Sequence, residues 1–192
     1  MVCQKSAAKA KSNKSLRESG LVMEGSFDKA VCDKVWLMEV FRKWAREKAA
    51  TGEIIFNENN CTKKYTKYTR FTTKAMSEIF RDAPKASSRW KTKNYYSYEI
   101  ANCGGKKFAI LLAFNLNEDT PEEIKRLYRE MGKCECVNKS KGDEGWQFWT
   151  RVFKNEYVQP AETDKEIFMQ LDRLYKNVMA LEAKLLEELK NL

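Results

Sequence analysis

The chain has 192 residues, 36 Lys and Arg against 27 Asp and Glu, no His, and a formal charge of +9. Hydrophobic residues at 43% are enough for a packed core, while 33% charged residues argue against a membrane protein. No apolar run approaches the roughly 20 residues that a bilayer span needs, and the first twenty residues contain no apolar segment of a secretory signal, so a cytoplasmic location without a membrane is expected.

Residues 1–22, rich in Ala, Ser and Lys, read as a flexible basic tail with almost nothing to bury. Ser26 suits an N-cap. Val31, Val35, Met38 and Ala45 recur at helical spacing beside Phe41 and Trp44, which predicts an amphipathic helix over 28–50 that stops near Gly52. Ile54 to Phe56 reads as a short strand, followed by a turn at NENN. YTRFTT at 68–73, rich in Thr and aromatics, suits a strand, and KAMSEIF a short helix ending before Pro84. Residues 94–102 and 107–116 alternate as two strands of a hairpin, with CGGK supplying two glycines for the turn. The second strand is apolar on both faces and so belongs inside the sheet.

TPEE at 120–123 predicts a capping box on a helix whose buried stripe is Ile124, Leu127, Tyr128 and Met131, ending at Gly132. A polar loop over 133–145 leads to WQFWTRVF at 146–153, which reads as a further strand. Thr163 and Glu166 form a second capping box. Ile167, Leu171, Leu174, Val178, Leu181 and Leu185 then follow 4-3-4-3-4 spacing, an a/d seam on a helix roughly 42 Å long. Such a seam either packs on the chain's own body or pairs with a second copy in a homodimer. The expected fold is α+β: a mainly antiparallel sheet flanked by helices, with a long C-terminal helix. The expected organisation is the tail at 1–22, a domain at 23–160 and the helix at 161–192.

The positive charge is concentrated. Residues 61–93 hold ten bases and two acids, Glu78 and Asp82. Within them CTKKYTKYTRFTTKAM carries five bases, three aromatic rings and no acid. Concentrated positive charge attracts polyanions, nucleic acid foremost. Lys63, Lys64, Lys67, Arg70, Lys74, Arg89, Lys91 and Lys93 are candidates to neutralise phosphates, and Tyr65, Tyr68 and Trp90 to stack on bases. The alternative is that these rings are core and the lysines a solvated rim.

Signals for catalysis are missing. Without histidine the usual near-neutral acid–base group is absent, and there is neither a GxxxxGK[ST] nor a GxGxxG motif. Acid-x-Lys occurs at Glu123/Lys125, Glu182/Lys184 and Glu188/Lys190, all in predicted helices, where they read as surface charge. The six cysteines read as free thiols in a reducing compartment, and a zinc site from Cys61, Cys103, Cys134 and Cys136 lacks the usual ligand spacing. No enzyme activity, catalytic residue, metal or cofactor is expected.

TRFTTKAM, SSRWKTKNYYSYEIAN, GGKKFAILLAFNL, TPEEIKRLYREM and GWQFWTRVFK, followed by a long charged helix, form an ordered series. Over residues 68–190 it resembles the C-terminal region that follows the catalytic domain in bacterial PD-(D/E)XK nuclease family proteins. The nuclease core and its acidic and lysine residues are absent, so no catalytic residue carries over. The resemblance implies a stand-alone non-catalytic domain associated with phage–host defence or mobile DNA. Two functions follow as expectations: a module binding DNA or RNA through the basic aromatic patch at 61–93, or a protein-interaction module. The latter would be, for example, a phage-encoded inhibitor of a bacterial defence complex that engages an acidic partner and dimerises through the C-terminal helix.

Overall fold

A computed structural model describes residues 26–58, 68–83, 92–138 and 152–190, with side chains in the first helix from Lys34 onward. The basic tail at 1–22 lies outside the described residues. In chain order the elements are helix α1 (Ser26–Ala50), strands β1 (Ile55–Phe56) and β2 (Tyr68–Thr72), helix α2 (Lys74–Ile79), strands β3 (Tyr96–Asn102) and β4 (Phe108–Phe114), and helices α3 (Glu122–Met131) and α4 (Asp164–Lys190). The fold is α+β, with an antiparallel sheet in the order β1-β2-β3-β4 and a long C-terminal helix.

Helix α1 ends where the sequence predicts. Gly52 takes φ 77°, and its N–H donates to the Ala49 carbonyl at 3.0 Å while Glu53 N–H reaches back to Lys48 at 3.1 Å. This pair of bonds is a Schellman cap, which satisfies carbonyls the last turn would leave open. The hairpin turn uses Gly104 at φ 75° and Gly105 at φ 79°, with Lys106 N–H donating to the Cys103 carbonyl.

Strand alternation sorts the sheet into two faces. Phe71, Tyr96, Tyr98, Ile100, Phe108, Ile110, Leu112 and Phe114 point to one side, as the register requires. On this side they meet Phe41 and Trp44 of α1 and the stripe of α4 in the main core. Each such fully buried side chain contributes about 1.5–3 kcal/mol. Phe71 stacks on Tyr98 with centroids 5.2 Å apart, and Trp44 and Tyr175 close over it edge-on. Helices α1 and α4 are further joined where Trp36 and Trp44 indole N–H groups donate to Asp164 at 2.8 Å and Asp172 at 3.0 Å. The opposite face carries Tyr68, Arg70, Thr72, Ser97, Glu99, Ala101, Ala109 and Leu111.

Two expectations are corrected, the capping box at α3 and the surface position of Glu182. Of the two arrangements expected for the seam, packing on the chain's own body is the one observed: Ile167, Leu171, Leu174, Val178 and Leu185 are buried in the core and Leu181 is half-buried against it. The predicted strand at 146–153 falls mostly outside the described residues; Val152 and Phe153 form a bend. Val152 N–H donates to the Leu112 carbonyl, and Val158 bridges Phe108, so residues 152–158 run along β4. The capping box at α3 does not form. The Thr120 hydroxyl turns back to Asn117, accepting its N–H at 2.9 Å and donating to its side chain at 3.1 Å, and Pro121 stands at the cap position without a side-chain bond. Finally, Glu182, expected on the surface, is buried. At α4 the box is present in part, with the Thr163 hydroxyl accepting Glu166 N–H and donating to its carboxylate.

Candidate nucleic-acid interface

Of the eleven residues predicted to meet nucleic acid, Lys63, Lys64, Tyr65, Lys67, Arg89, Trp90 and Lys91 lie outside the described residues. The remaining four divide. Lys74 and Lys93 are exposed. Arg70 is not available to phosphate: it is buried, and its Nε donates to Glu99 Oε1 at 2.8 Å in a pair whose two side chains are 9% and 1% exposed. Adjacent strands place both residues on the same sheet face, and a buried guanidinium requires such a counter-charge. Tyr68 is half-buried beside Arg70, with the guanidinium 5.3 Å from its ring centroid, and packs on Ala101, Ala109 and Leu111. Burial raises its phenol pKa.

Lys93, together with Arg81, lines a cleft of about 770 Å³ at the β1–β2–β3 end of the sheet, on the face away from α1 and α4, whereas Lys74 is not among its lining residues. Its floor holds Arg70, Thr72 and Ser97; Arg81, Thr92, Lys93 and Asn94 lie on its wall, and Ile55 and Asn57 on the β1 side. Ser77 of α2 also lines it, and Lys74, one turn earlier, shares that helix face. Lys74, Arg81 and Lys93 form no ion pair with a described residue. Asp82 also lines the cleft, and its carboxylate accepts from the Asn94 amide at 2.9 Å. The Thr92 hydroxyl oxygen is fully buried and has no hydrogen-bond partner among the described residues.

A buried network fixes the helix beside this cleft. Glu182 of α4 accepts from Tyr98 and Thr73 hydroxyls, both at 2.7 Å. Thr73 caps α2 by accepting Met76 N–H, and its carbonyl accepts the Tyr96 hydroxyl at 2.9 Å. Tyr96 in turn shares a 2.8 Å bond with Ser77 at the cleft. Burial raises the Glu182 carboxyl above its ordinary value, pushes the Tyr96 phenol up to about 12, and holds Tyr98 well above the usual phenol value. The long helix therefore positions α2, and with it Lys74 and Ser77.

Arg81, Thr92, Asn94 and Ile55 are site residues that sequence reasoning missed. Arg81 sits in the basic stretch and was legible as a candidate; the other three carry no charge signal and are gathered only by the chain's return along β3. Cys134 and Cys136 lie elsewhere, where burial and the Glu188 carboxylate raise them to about 12 and about 11, so both are protonated thiols at neutral pH. Cys61, part of the zinc set considered above, lies outside the described residues. Among the described residues no three His, Cys, Asp or Glu side chains converge as a metal site requires, and no helix is long and apolar enough to cross a membrane. No protein-family model, curated protein or solved structure matches the chain.

Proposed function

We propose that this chain is a non-catalytic nucleic-acid-binding module whose cleft mouth meets the phosphate backbone. The observation that carries this reading is that Arg81 and Lys93, exposed and in no ion pair with a described residue, line one cleft in which Asp82 is the carboxylate besides the buried Arg70–Glu99 pair beneath it. Cations held this way release counterions when they meet phosphates, the dominant source of affinity for a polyanion. The resemblance of residues 68–190 to the region after a nuclease core supports a setting in phage–host defence or mobile DNA.

The test is fluorescence anisotropy with labelled DNA and RNA across salt concentrations. Affinity is expected to fall steeply between about 50 and 200 mM salt, with each phosphate contact adding roughly 0.7–0.9 to the log–log slope. Replacing Arg81 and Lys93 together by Ala is expected to flatten that slope by roughly 1.4–1.8. No binding at about 50 mM salt, or affinity that does not vary with salt, overturns the proposal.

A further inference from the structure

Resting on the nucleic-acid reading, we infer that the cleft binds the phosphate backbone without regard to base sequence, so that its ligand class is nucleic acid of any sequence. Base identity is read by hydrogen bonds to base edges, whereas contacts to phosphate position a protein and name no base. In this cleft the hydrogen-bonding groups are largely committed inside the fold, and the charges are what face a ligand.

The commitment is visible residue by residue. The Asn94 amide donates to Asp82 at 2.9 Å. The Ser97 hydroxyl bonds to the Phe71 and Tyr98 carbonyls, at 3.3 and 3.0 Å. Ser77 shares its 2.8 Å bond with the Tyr96 hydroxyl, and Arg70 donates from Nε to Glu99 in the buried pair. The Thr92 hydroxyl oxygen is fully buried, out of a ligand's reach. Arg81 and Lys93 differ: both are exposed and in no ion pair with a described residue. A bidentate contact to guanine would hold the Arg81 fork in one orientation at a cost in rotamer freedom, and no hydrogen bond or ion pair with a described residue braces it there. Phosphate makes no such demand, because charge attracts from many positions. Asp82 is the carboxylate among these groups. It repels the phosphates that Arg81 and Lys93 attract, so it lowers affinity for every sequence alike.

The probes are fluorescein-labelled DNA and RNA of about 16 nucleotides, single-stranded and double-stranded. Each kind is made in an A·T-rich or A·U-rich, a G·C-rich and a mixed sequence, and titrated at about 50 mM salt. Within each kind, wild-type affinities are expected to agree within roughly fivefold, since one good bidentate base contact already separates sequences by that much. Asp82→Asn removes the negative charge and keeps an oxygen for the Asn94 amide. It is expected to tighten binding to every sequence by the same factor, roughly twofold to fivefold. Thermal melts confirm folding, and the wild-type panel decides the matter by itself if the variant does not fold. A spread wider than roughly fivefold overturns the inference while leaving the proposed function standing. So does an Asp82→Asn effect that is absent, opposite in sign or confined to some sequences. Absence of binding to every probe removes the proposed function itself.

Discussion

Two buried charges show how little residue type alone says about role. Arg70 sits in the most basic stretch of the chain and yet its guanidinium is committed to Glu99, both of them buried on the sheet. Glu182 sits in a helix full of surface charge and yet it is 6% exposed, holding Tyr98 and Thr73. Burial disfavours the ionised carboxylate, which raises the Glu182 pKa in the folded state. The folded chain thus holds that proton more tightly than the unfolded chain does. The resulting stabilisation is fully present below the unfolded carboxyl pKa and is lost as pH rises through the raised folded value. Urea melts from pH 4 to 8 are expected to show wild type losing stability relative to Glu182→Gln as pH rises. A difference that stays constant across that range would contradict the raised pKa. Glu182→Ala, which leaves the Tyr98 hydroxyl without its partner, is expected to cost about 1–3 kcal/mol.

At the scale of elements, α4 explains why a coiled-coil pattern ended inside one molecule. A straight α-helix turns every 3.6 residues, so an a/d seam drifts by about 20° per heptad. Over α4 this drift brings Glu182 into the core and leaves Leu181 half-buried. The seam meets the apolar face of the sheet, and α1 lies alongside through Trp36 and Trp44. Leu174, 3% exposed, is therefore a core residue. Leu174→Ala is expected to lower stability by about 2–5 kcal/mol in denaturant melts. A loss below about 0.5 kcal/mol, the range of surface substitutions, would place Leu174 outside the core. Leu174→Asp reports on folding, not on association, because it buries an unpaired charge.

For the whole molecule, the sheet separates two tasks. One face is given to the aromatic core beneath α1 and α4, and the other holds the Arg70–Glu99 pair and the cleft. Among the described residues the exposed large hydrophobics are Val35, Ile55 and Met169, which stand on three different elements. With the α4 stripe already buried, light scattering at micromolar concentration is expected to give the mass of one 22.5 kDa chain. A stable dimer would mean that a surface other than this stripe carries association.

Most elements were legible in the sequence because they rest on local chemistry. Helical and alternating apolar spacing marked α1, α4 and the β3–β4 hairpin, and the glycines at 52, 104 and 105 marked positions where backbone with positive φ was needed. The capping box at Thr120 failed for an equally local reason, since its hydroxyl had a competing partner in Asn117. The site was less legible. A pattern along the chain records which residues are charged, not which carboxylate a neighbouring strand will bring beside them. Pairing β2 with β3 turned Arg70 from a candidate contact into a buried ion pair, and the same pairing set Thr72 and Ser97 into one cleft. By itself the sequence determined the elements, their class and a concentrated positive charge. Strand register and helix drift, which are long-range and set by packing, decided which charges were buried and which were left facing outward.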